Sequence, residues 1–363
     1  MNKIISAFYL LGLWVYGAIL RIAALFHPKA KLLCNGRKET WQKLKNYDNS
    51  QPCVWIHAAS LGEFEQGRPI IEAIKKHNPD KKVVLTFYSP SGYEVRKNYN
   101  LADLICYLPA DGPSNASQFI DAINPEKVIF VKYEFWHFFL AETKKRNIPL
   151  YGISMIFCEQ QPFFAKGLYG GWFIDMLKKF THIYVQDKKS AELLDSIAIS
   201  NHSTVGDTRF DRVKKVVESC GDVEIAQKFV SNADFVMVAG SSWEPDENVY
   251  MPYINNSSNN IKLIVATHEV HRERVEKLKS TISVKSFFFT NPPADPENYN
   301  VMIVDTIGLL TTIYKYGQIA YVGGGFGKGI HNTLEPAAYG MPVIFGPKHK
   351  KFKEALDLID CGG

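Results

Sequence analysis

Short apolar runs alternate with helix-like stretches along most of this chain, and this alternation restricts the fold more than any other feature. In the first half, runs rich in β-branched and aromatic residues lie at 54–57, 83–88, 104–108, 128–131, 150–154 and 183–186. Parallel strands need a crossover between them, which is usually a helix. The pattern therefore predicts a doubly wound parallel sheet.

The alternation begins again after a charged helical stretch at about 211–229. Further strand-like runs lie at 235–239, 263–266, 287–289, 302–304, 319–322 and 343–345. The predicted fold class is α/β, and a length of 363 residues suits two domains. We place an N-terminal Rossmann-like domain at 29–210, a connector at 211–232 and a C-terminal Rossmann-like domain at 233–363. The sequence stops where such a domain normally adds another strand, so we expect a C-terminal truncation.

Residues 1–28 form an apolar N-terminal segment. Residues 4–20 carry no charge, and the apolar run resumes beyond Arg21. A cleavable signal peptide needs small uncharged residues where Arg21 lies, so we predict a retained membrane anchor, either spanning or interfacial. Basic residues follow the segment, which places the rest of the chain on the cytoplasmic side. Since strands begin only near Cys53, removing the segment is expected to leave the domains folded.

The composition excludes several classes of protein. A formal net charge of +5 without a dense basic stripe argues against a nucleic-acid partner. The six cysteines are scattered without a CxxC pair, which indicates reduced thiols and no zinc site.

The first candidate site follows the first strand, where Ser60, Gly62 and Glu63 open a predicted helix. Ligands of open α/β sheets bind at the carboxyl ends of strands, which puts Glu63 at a ligand-binding rim. Ser60 and Gly62 let backbone N–H groups approach a substrate, and the helix N-terminus favours an anion. Glu63 also suits a capping carboxylate, so position alone does not decide between a structural and a catalytic role.

Two more segments lie at the same predicted rim. Lys132 and Glu134 follow the run at 128–131, and Ser89 belongs to a hydroxyl-rich turn after 83–88. Such groups suit sugar hydroxyls or phosphates, but the hydroxyls equally suit an ordinary turn. An ion pair with a nearby cation is the simpler interpretation of Glu134 when nothing else is known.

In the second half, Gly240 and Ser241 follow a strand and precede an acidic helix start. The exposed N–H groups of such a glycine turn suit a phosphate, although a single glycine is weak evidence. His268 ends the next strand and offers a donor to a phosphate or a stacking surface for a base. A lone histidine is more often structural.

A glycine-rich run is the most informative motif. Five glycines lie among residues 323–329, directly after the strand run at 319–322. Each costs conformational entropy, so this density indicates a backbone that approaches a ligand. The following helix start favours a phosphate, and Glu335, one turn in, can accept both hydroxyls of a ribose. The spacing fits neither a nicotinamide-binding loop nor a Walker loop, so we predict another kind of nucleotide site.

Several segments carry a family resemblance when they are taken together. They are HAASLGE at 57–63, EFW at 134–136, GDTRFDR at 206–212, GS at 240–241 with DE at 246–247, and GGG at 323–325 with HNTLEP at 331–336. In this order they resemble the Kdo transferases of lipopolysaccharide synthesis, from about residue 30 to the end. These are membrane-anchored, inverting glycosyltransferases of the GT-B fold, in which two Rossmann-like domains face a cleft. They move Kdo from CMP-Kdo to a lipid A precursor, lipid IVA.

The resemblance implies roles for individual residues. Glu63 is implied to be the general base. The CMP part of the donor is implied to lie against the glycine-rich loop, with Gly324 and Gly325, and against His331, Asn332 and Glu335. Gly240, Ser241 and His268 are further candidates for the CMP site, and Ser60, Gly62, Ser89 and Glu134 for sugar or acceptor binding. The Kdo carboxylate needs a cationic partner, for which Lys132 and Arg209 are candidates.

The resemblance also implies partners and a location. The expected partners are CMP-Kdo, a lipid A precursor and the cytoplasmic face of a bacterial inner membrane. No cofactor is expected, because the sequence contains no Asp-x-Asp metal motif and N–H donors can stabilise a departing phosphate.

This sequence departs from the family in two places. Residues 152–154 read GIS, where some members carry an Asn-Ala-Arg type segment, and the family's C-terminal helix is missing. The alternatives are another GT-B enzyme, such as a UDP-sugar transferase or epimerase, and a membrane-bound scaffold of this fold without turnover.

Overall fold

The computed structural model describes residues 2–165, 168–257 and 260–362. The chain forms two compact units, Met1–Arg209 and Phe210–Gly363. The predicted connector region contains parts of two helices, α9 (Thr208–Ser219) and α10 (Glu224–Val230). In α10, Ala226 and Phe229 are buried in a core of the second unit.

The first unit is built on a seven-stranded parallel sheet. Its strands are β1 (Cys53–Ala58), β2 (Val83–Phe87), β3 (Leu104–Tyr107), β4 (Pro125–Val131), β5 (Leu150–Met155), β6 (His182–Val185) and β7 (His202–Thr204). Their order in the sheet is β3-β2-β1-β4-β5-β6-β7. The first six confirm the predicted strands. The edge strand β7 was not predicted, because three polar, partly exposed residues carry no apolar signal.

Before α9, the described residues of the first unit form eight α-helices. They are α1 (Asn2–Ala23), α2 (Pro28–Lys45), α3 (Leu61–His77), α4 (Pro90–Arg96), α5 (Pro113–Ile123), α6 (His137–Lys145), α7 (Leu168–Leu177) and α8 (Lys188–Ser196). Both faces of the sheet are covered. In β1, for example, Cys53 and Trp55 belong to one buried cluster and Val54 and Ile56 to another. Alternation of side chains in a strand buried on both faces explains its uninterrupted apolar sequence.

The apolar N-terminal segment is helix α1, and one face of it packs on the first unit. Tyr9 donates a hydrogen bond to buried Asp111 at 2.8 Å, and Ser6 Oγ lies 3.1 Å from His137 Nε2. The other face is exposed and apolar, with Phe8 and Trp14 each 70% exposed. Residues 4–23 are long and apolar enough to cross a membrane. Because α1 covers buried polar groups, its removal should lower the stability of the first unit, and whether the domains stay folded without it remains a prediction.

The second unit contains a six-stranded parallel sheet. Its strands are β8 (Phe235–Ser242), β9 (Ile261–Thr267), β10 (Ser286–Phe288), β11 (Val301–Val304), β12 (Ile319–Val322) and β13 (Val343–Phe345). Their order is β10-β11-β9-β8-β12-β13. Its further helices are α11 (Glu244–Asn255), α12 (Arg272–Ser280), α13 (Leu310–Ile313), α14 (Leu334–Ala337) and α15 (Lys353–Cys361). All six strands were predicted, and the α/β class with two Rossmann-like units is confirmed.

Each sheet has a point where the chain order reverses, between β1 and β4 in the first and between β8 and β12 in the second. Loops at the carboxyl ends of such strands diverge, and the crevice they leave is where open α/β folds bind ligands. Three of the predicted site segments directly follow β1, β4 and β12, and a fourth, Gly240 and Ser241, lies at the end of β8 itself.

Candidate functional site

Glu63 lies in the first turn of α3, directly beyond β1. Its Oε2 accepts hydrogen bonds from the backbone N–H of Ser60 at 2.8 Å and from Ser60 Oγ at 3.1 Å. This is a capping box, so the structural role foreseen for Glu63 is present. No described residue donates to Oε1, and the side chain is only partly buried. One carboxylate oxygen therefore caps the helix while the other is available to a substrate.

Glu134 lies beyond β4 and has a different environment. Its side chain is buried, and Oε2 lies 3.0 Å from His57 Nε2 and 2.6 Å from Trp136 Nε1. His57, fully buried in β1, also lies 2.8 Å from Thr86 Oγ1 through Nδ1. Glu134 thus pairs with a histidine and an indole, where the sequence suggested an ion pair with a nearby cation.

The hydrogen-bond network fixes the tautomer of His57. The Glu134 carboxylate can only accept, which requires a proton on His57 Nε2. Trp55 Nε1 donates to Thr86 Oγ1 at 2.8 Å, and the Thr86 hydroxyl lies 2.8 Å from His57 Nδ1. His57 then carries its proton on Nε2 and donates it to Glu134. Trp136 Nε1 also lies 3.3 Å from His57 Nε2, but a protonated nitrogen cannot accept, so the indole donates to Glu134. Each donor in this hydrogen-bond network of His57, Glu134 and their neighbours has an acceptor.

The two carboxylates are electrostatically coupled. Burial raises the pKa of Glu63, the negative charge of Glu134 raises it further, and the hydrogen bonds from Ser60 oppose these effects. A raised pKa makes a carboxylate a stronger base near neutral pH. Glu63 therefore has the open oxygen and the basicity of a proton acceptor, whereas Glu134 is already held by two donors.

An aromatic cluster adjoins Glu134. The ring of Tyr88 stacks on Trp136 with centroids 4.9 Å apart, and the Arg37 guanidinium lies 4.9 Å from the Tyr88 ring centroid. The Tyr88 hydroxyl donates to the Tyr16 hydroxyl in α1 at 3.0 Å. Burial and this hydrogen bond raise the pKa of Tyr88 to about 12. The cluster connects α1 to the residues around Glu134.

The remaining candidates near these carboxylates have local roles. Ser89 caps α4 through its Oγ, which accepts from the backbone N–H of Ser91, as an ordinary turn would. Gly62 has open space where a side chain would lie, so packing does not require glycine there. Lys132 takes a left-handed backbone conformation (φ 65°) that turns the chain at the end of β4. Its Nζ lies 5.7 Å from the Tyr133 ring centroid.

Arg209 belongs to a structural cluster with Asp207. Its Nε donates to Asp207 Oδ2 at 2.8 Å, and Gln66 Nε2 of α3 lies 3.2 Å from both Asp207 oxygens. Thr208 Oγ1 donates to the Gln66 carbonyl at 2.6 Å. These contacts tie the GDTR segment to α3, the helix that has Glu63 in its first turn. The charge of Arg209 is largely neutralised by Asp207.

In the second unit, three rings form a stack beyond β8, β9 and β12. The His268 ring lies 4.6 Å from the Trp243 ring and 4.3 Å from the His331 ring, with interplanar angles of 25° and 22°. Trp243 Nε1 donates to His331 Nε2 at 3.0 Å, so a neutral His331 carries its proton on Nδ1. Burial and the adjacent His268 lower the pKa of His331. The sequence candidates His268 and His331 are therefore in contact.

Asp246 holds the glycine-rich loop. This carboxylate is buried, and its Oδ2 accepts from the backbone N–H of Gly324 at 2.9 Å and of Trp243 at 3.0 Å. Its Oδ1 accepts from the Tyr321 hydroxyl at 3.2 Å. The start of α11 is thus occupied by a side chain of its own. A phosphate at this helix start, as expected from Gly240 and Ser241, would have to displace Asp246.

The glycines of the predicted CMP site are required by the chain itself. Gly324 has a φ of 94°, which side chains rarely adopt, and a Cβ at Gly325 would lie 2.5 Å from the Gly346 backbone. Gly240 is not a turn after a strand, as expected, but part of a bulge inside β8, where Ser241 is left-handed. A Cβ at Gly240 would collide with Tyr314. The inference that this glycine density mainly serves a ligand is therefore not supported.

Glu335 and Asn332 lie together after the loop. Glu335 Oε1 accepts from Asn332 Nδ2 at 2.9 Å, and Oε2 accepts from Thr311 Oγ1 at 2.8 Å. Each carboxylate oxygen can accept a second hydrogen bond, so ribose hydroxyls are compatible with this arrangement. Helix α14, which contains Glu335, is only four residues long, and its dipole is weaker than the sequence suggested.

Sequence reasoning missed some of these residues as members of a site. His57, Thr86 and Trp136 were read as parts of motifs or turns, yet they hold Glu134 in place. Asp246 was read only as an acidic helix start. The available signal was polar or indole side chains at the ends of otherwise apolar strands. In the described part of the chain, no group of three or more His, Cys, Asp or Glu residues is arranged to hold a metal ion.

Comparisons with known proteins agree with the resemblance. Residues 36–212 match the family model of the 3-deoxy-D-manno-octulosonic-acid transferases (Kdo transferases). The 3-deoxy-D-manno-octulosonic acid transferase of Aquifex aeolicus is 27% identical over 323 residues, which cover 87% of this chain and 82% of that protein. The protein of the same name from Rickettsia bellii is 25% identical, over 86% of this chain and 75% of its own.

Among solved structures, UDP-GlcNAc 2-epimerase from Neisseria meningitidis, bound to UDP-GlcNAc, matches with a TM-score of 0.52 and 13% identity. The match covers 85% of this chain and 92% of that chain, and at this identity it shows the GT-B type of fold alone. The sequence matches show that this chain carries the family domain of the Kdo transferases at residues 36–212 and that it is similar to curated Kdo transferases over most of its length.

Proposed function

We propose that this protein transfers Kdo from CMP-Kdo to a lipid A precursor, lipid IVA, with inversion at the transferred carbon. The observation that carries the proposal is the position of Glu63. In a Kdo transferase domain, it is a partly buried carboxylate with a raised pKa and one open oxygen at the carboxyl end of β1.

Glu63 would act as the general base. Its Oε1 would accept the proton of the attacking 6′-hydroxyl of the acceptor while the bond between Kdo and the CMP phosphate breaks. Oε2 would keep its hydrogen bonds to Ser60, so the carboxylate would not need to reorient. Glu134 would raise the basicity of Glu63 and bind or position the sugars.

The second unit would bind the CMP part of the donor. Neutral His331 has a proton on Nδ1 to donate, and Glu335 and Asn332 offer acceptors and an amide to the ribose. N–H donors that face the leaving phosphate would stabilise its charge without a metal ion. Gly240, Gly324 and Gly325 would shape this site rather than touch the nucleotide.

The Kdo carboxylate needs a cation, and Lys132 is the better candidate. Arg209 is engaged by Asp207 through both its backbone and its guanidinium. Lys132 forms no ion pair with any carboxylate in the described part of the chain, and it lies two residues from Glu134. Its charge is therefore the more available of the two.

Helix α1 would lie in the interface of the cytoplasmic leaflet of the inner membrane rather than span it. Its contacts with the first unit extend from Ser6 and Tyr9 to Tyr16, whereas its other face is apolar and exposed. A spanning helix could not keep these contacts with a folded unit outside the bilayer. The basic residues that follow α1 would add attraction to anionic headgroups.

One experiment tests the activity. The full chain in mixed micelles is incubated with lipid IVA and CMP-Kdo, with and without EDTA, and the lipid is analysed by mass spectrometry. We expect a product heavier by Kdo in both arms, with inverted configuration by NMR. Loss of product in EDTA would contradict the metal-free mechanism. Transfer from a UDP-sugar, or no turnover with any donor, would contradict the proposed donor or the assignment as an enzyme.

A further inference from the structure

A large apolar cavity lies inside the first unit, beside α1. Its volume is about 530 Å³, and its lining includes Ile5 and Phe8 of α1, Phe163, and Trp172 and Met176 of α7. Among the residues that the structure describes, no charged side chain is part of the lining. A volume of this size lies in the range of about 300–1,000 Å³ that proteins use for small ligands.

An acyl chain is the occupant that fits this cavity. Phe8 lines it while remaining 70% exposed on the apolar face of α1. An acyl chain in the membrane beside α1 could therefore enter without crossing water. An apolar cavity that stays empty costs stability, because the side chains around it lose their contacts.

The indole N–H of Trp172 requires a hydrogen-bond acceptor from the occupant of the cavity. This residue is 5% exposed and lines the cavity, and its Nε1 has no hydrogen-bond acceptor among the described residues. A buried donor without an acceptor costs about 1–3 kcal/mol and is rare in folded proteins. An ester, amide or hydroxyl oxygen near the head of a fatty-acyl chain would provide the acceptor.

The cavity reaches the segment that contains Glu134. Tyr133 and Phe135 line it and flank Glu134 in sequence. Burial raises the pKa of Tyr133, and the negative charge of Glu63 is among the further causes. A chain in this cavity would therefore belong to a lipid whose head lies near Glu63 and Glu134.

We infer that the cavity binds one fatty-acyl chain of the acceptor glycolipid and so selects acceptors by their acylation. This inference rests on the proposed function, because it takes the acceptor to be a lipid. It adds a specificity-determining site that the glycosyl chemistry does not require.

The test makes the same substitution, Ile to Trp, at two neighbouring positions of α1. Ile5→Trp places a large ring in the cavity, whereas Ile4→Trp places the same ring on the exposed face, since Ile4 is 63% exposed and does not line the cavity. Because only Ile4→Trp adds its ring to the exposed face, vesicle binding of both variants is measured as a control. Their KM values for acceptor and donor are measured in mixed micelles, with lipid IVA and with analogues whose acyl chains are shorter.

In the unaltered protein, the acceptor KM should rise by at least about twofold for each methylene group removed from the bound chain, because part of the cavity is then left empty. Ile5→Trp should raise the KM for lipid IVA at least tenfold and flatten this dependence, while the CMP-Kdo KM stays within twofold. Ile4→Trp should behave as the unaltered protein. If Ile5→Trp keeps the original chain-length dependence, the cavity does not bind the acceptor chain.

Photo-crosslinking identifies the occupant directly. Lipid IVA with a diazirine at an acyl terminus should label peptides that contain Phe163 or Trp172, and Ile5→Trp should abolish this labelling. Labelling of the same peptides by a diazirine phospholipid that excess lipid IVA does not displace would overturn the inference. If the unaltered protein transfers no Kdo to any acceptor, the proposed function fails. If it transfers Kdo without regard to chain length, only this inference fails.

Discussion

Replacing Glu63 by Gln should separate its chemical role from its structural role. Oε2 of Glu63 accepts from the N–H and the hydroxyl of Ser60. The amide oxygen of Gln can accept both bonds, and Gln is a normal partner in a capping box. The free energy of unfolding should therefore change by less than about 0.5 kcal/mol. What the variant loses is the ability to take a proton at Oε1.

The expected loss in rate is large. General base catalysis contributes about 10²–10⁴-fold, so kcat should fall by that factor, which corresponds to about 2.7–5.5 kcal/mol of transition-state stabilisation. CMP affinity should remain unchanged, because the proposed CMP ligands belong to the second unit. Glu63→Ala is a useful companion, since it should show the same rate loss together with about 1 kcal/mol of lost stability from the missing cap.

The assay is a single-turnover measurement with saturating enzyme, so that product release does not mask chemistry. Thermal unfolding and calorimetric titration with CMP confirm that each variant is folded and binds the nucleotide. A Glu63→Gln protein that unfolds normally and turns over within about threefold of the original rate would refute the role of Glu63 as base. Glu134 would then be the next candidate.

Three further predictions follow from other contacts. Glu134→Gln should raise KM more than it lowers kcat. It should also move the acidic limb of the pH profile of kcat/KM to lower pH, because removing the Glu134 charge lowers the pKa of Glu63. A profile in which this limb stays in place would contradict the electrostatic coupling of the two carboxylates. Glu335→Ala should weaken CMP binding by about 1.5–3 kcal/mol in calorimetry, since ribose hydroxyls lose charged acceptors, and an unchanged affinity would exclude the contact. Deleting residues 1–26 should release the protein from vesicles. It should also lower the melting temperature by at least about 2 °C, because Asp111 loses the Tyr9 donor. A shortened protein that still pellets with vesicles at high salt, or that keeps its melting temperature, would contradict the role given to α1.

Two of these predictions have matched controls. Thr311→Val removes only the hydroxyl that donates to Glu335 Oε2 and should leave CMP affinity within about threefold. Tyr9→Phe removes only the donor to Asp111 and should reproduce part of the thermal effect of the deletion while the protein stays on vesicles.

The sequence predicted the regular parts of this fold well, because buried parallel strands consist of continuous apolar runs. Twelve of the strands were predicted, and the thirteenth, β7, was missed since its three polar residues pair at a sheet edge. The placement of α1 was not predictable. An exposed apolar face and a packed face contain similar residues, and only contacts such as Tyr9 with Asp111 distinguish them.

The candidate site was predicted in outline but not in its partners. Strand ends located Glu63, Glu134 and His331, because topology alone brings the carboxyl ends of strands to one edge of a sheet. The partner of Glu134 could not be predicted. It depends on the register that sets His57 beside Thr86 across neighbouring strands and on the turn at Lys132. Long-range pairing of this kind leaves no local pattern in the sequence.

The packing of the glycine-rich loop affects how a mutational scan of this protein should be interpreted. Substitutions at Gly240, Gly324 or Gly325 would strain or displace the chain before any nucleotide is present. Low tolerance at these positions would report on folding, and it would be mistaken for evidence of nucleotide contact. Gly327 is different, because the nearest atom to a Cβ there is 3.5 Å away. Loss of CMP binding in a stable Gly327→Ala protein would therefore be the informative result in this loop.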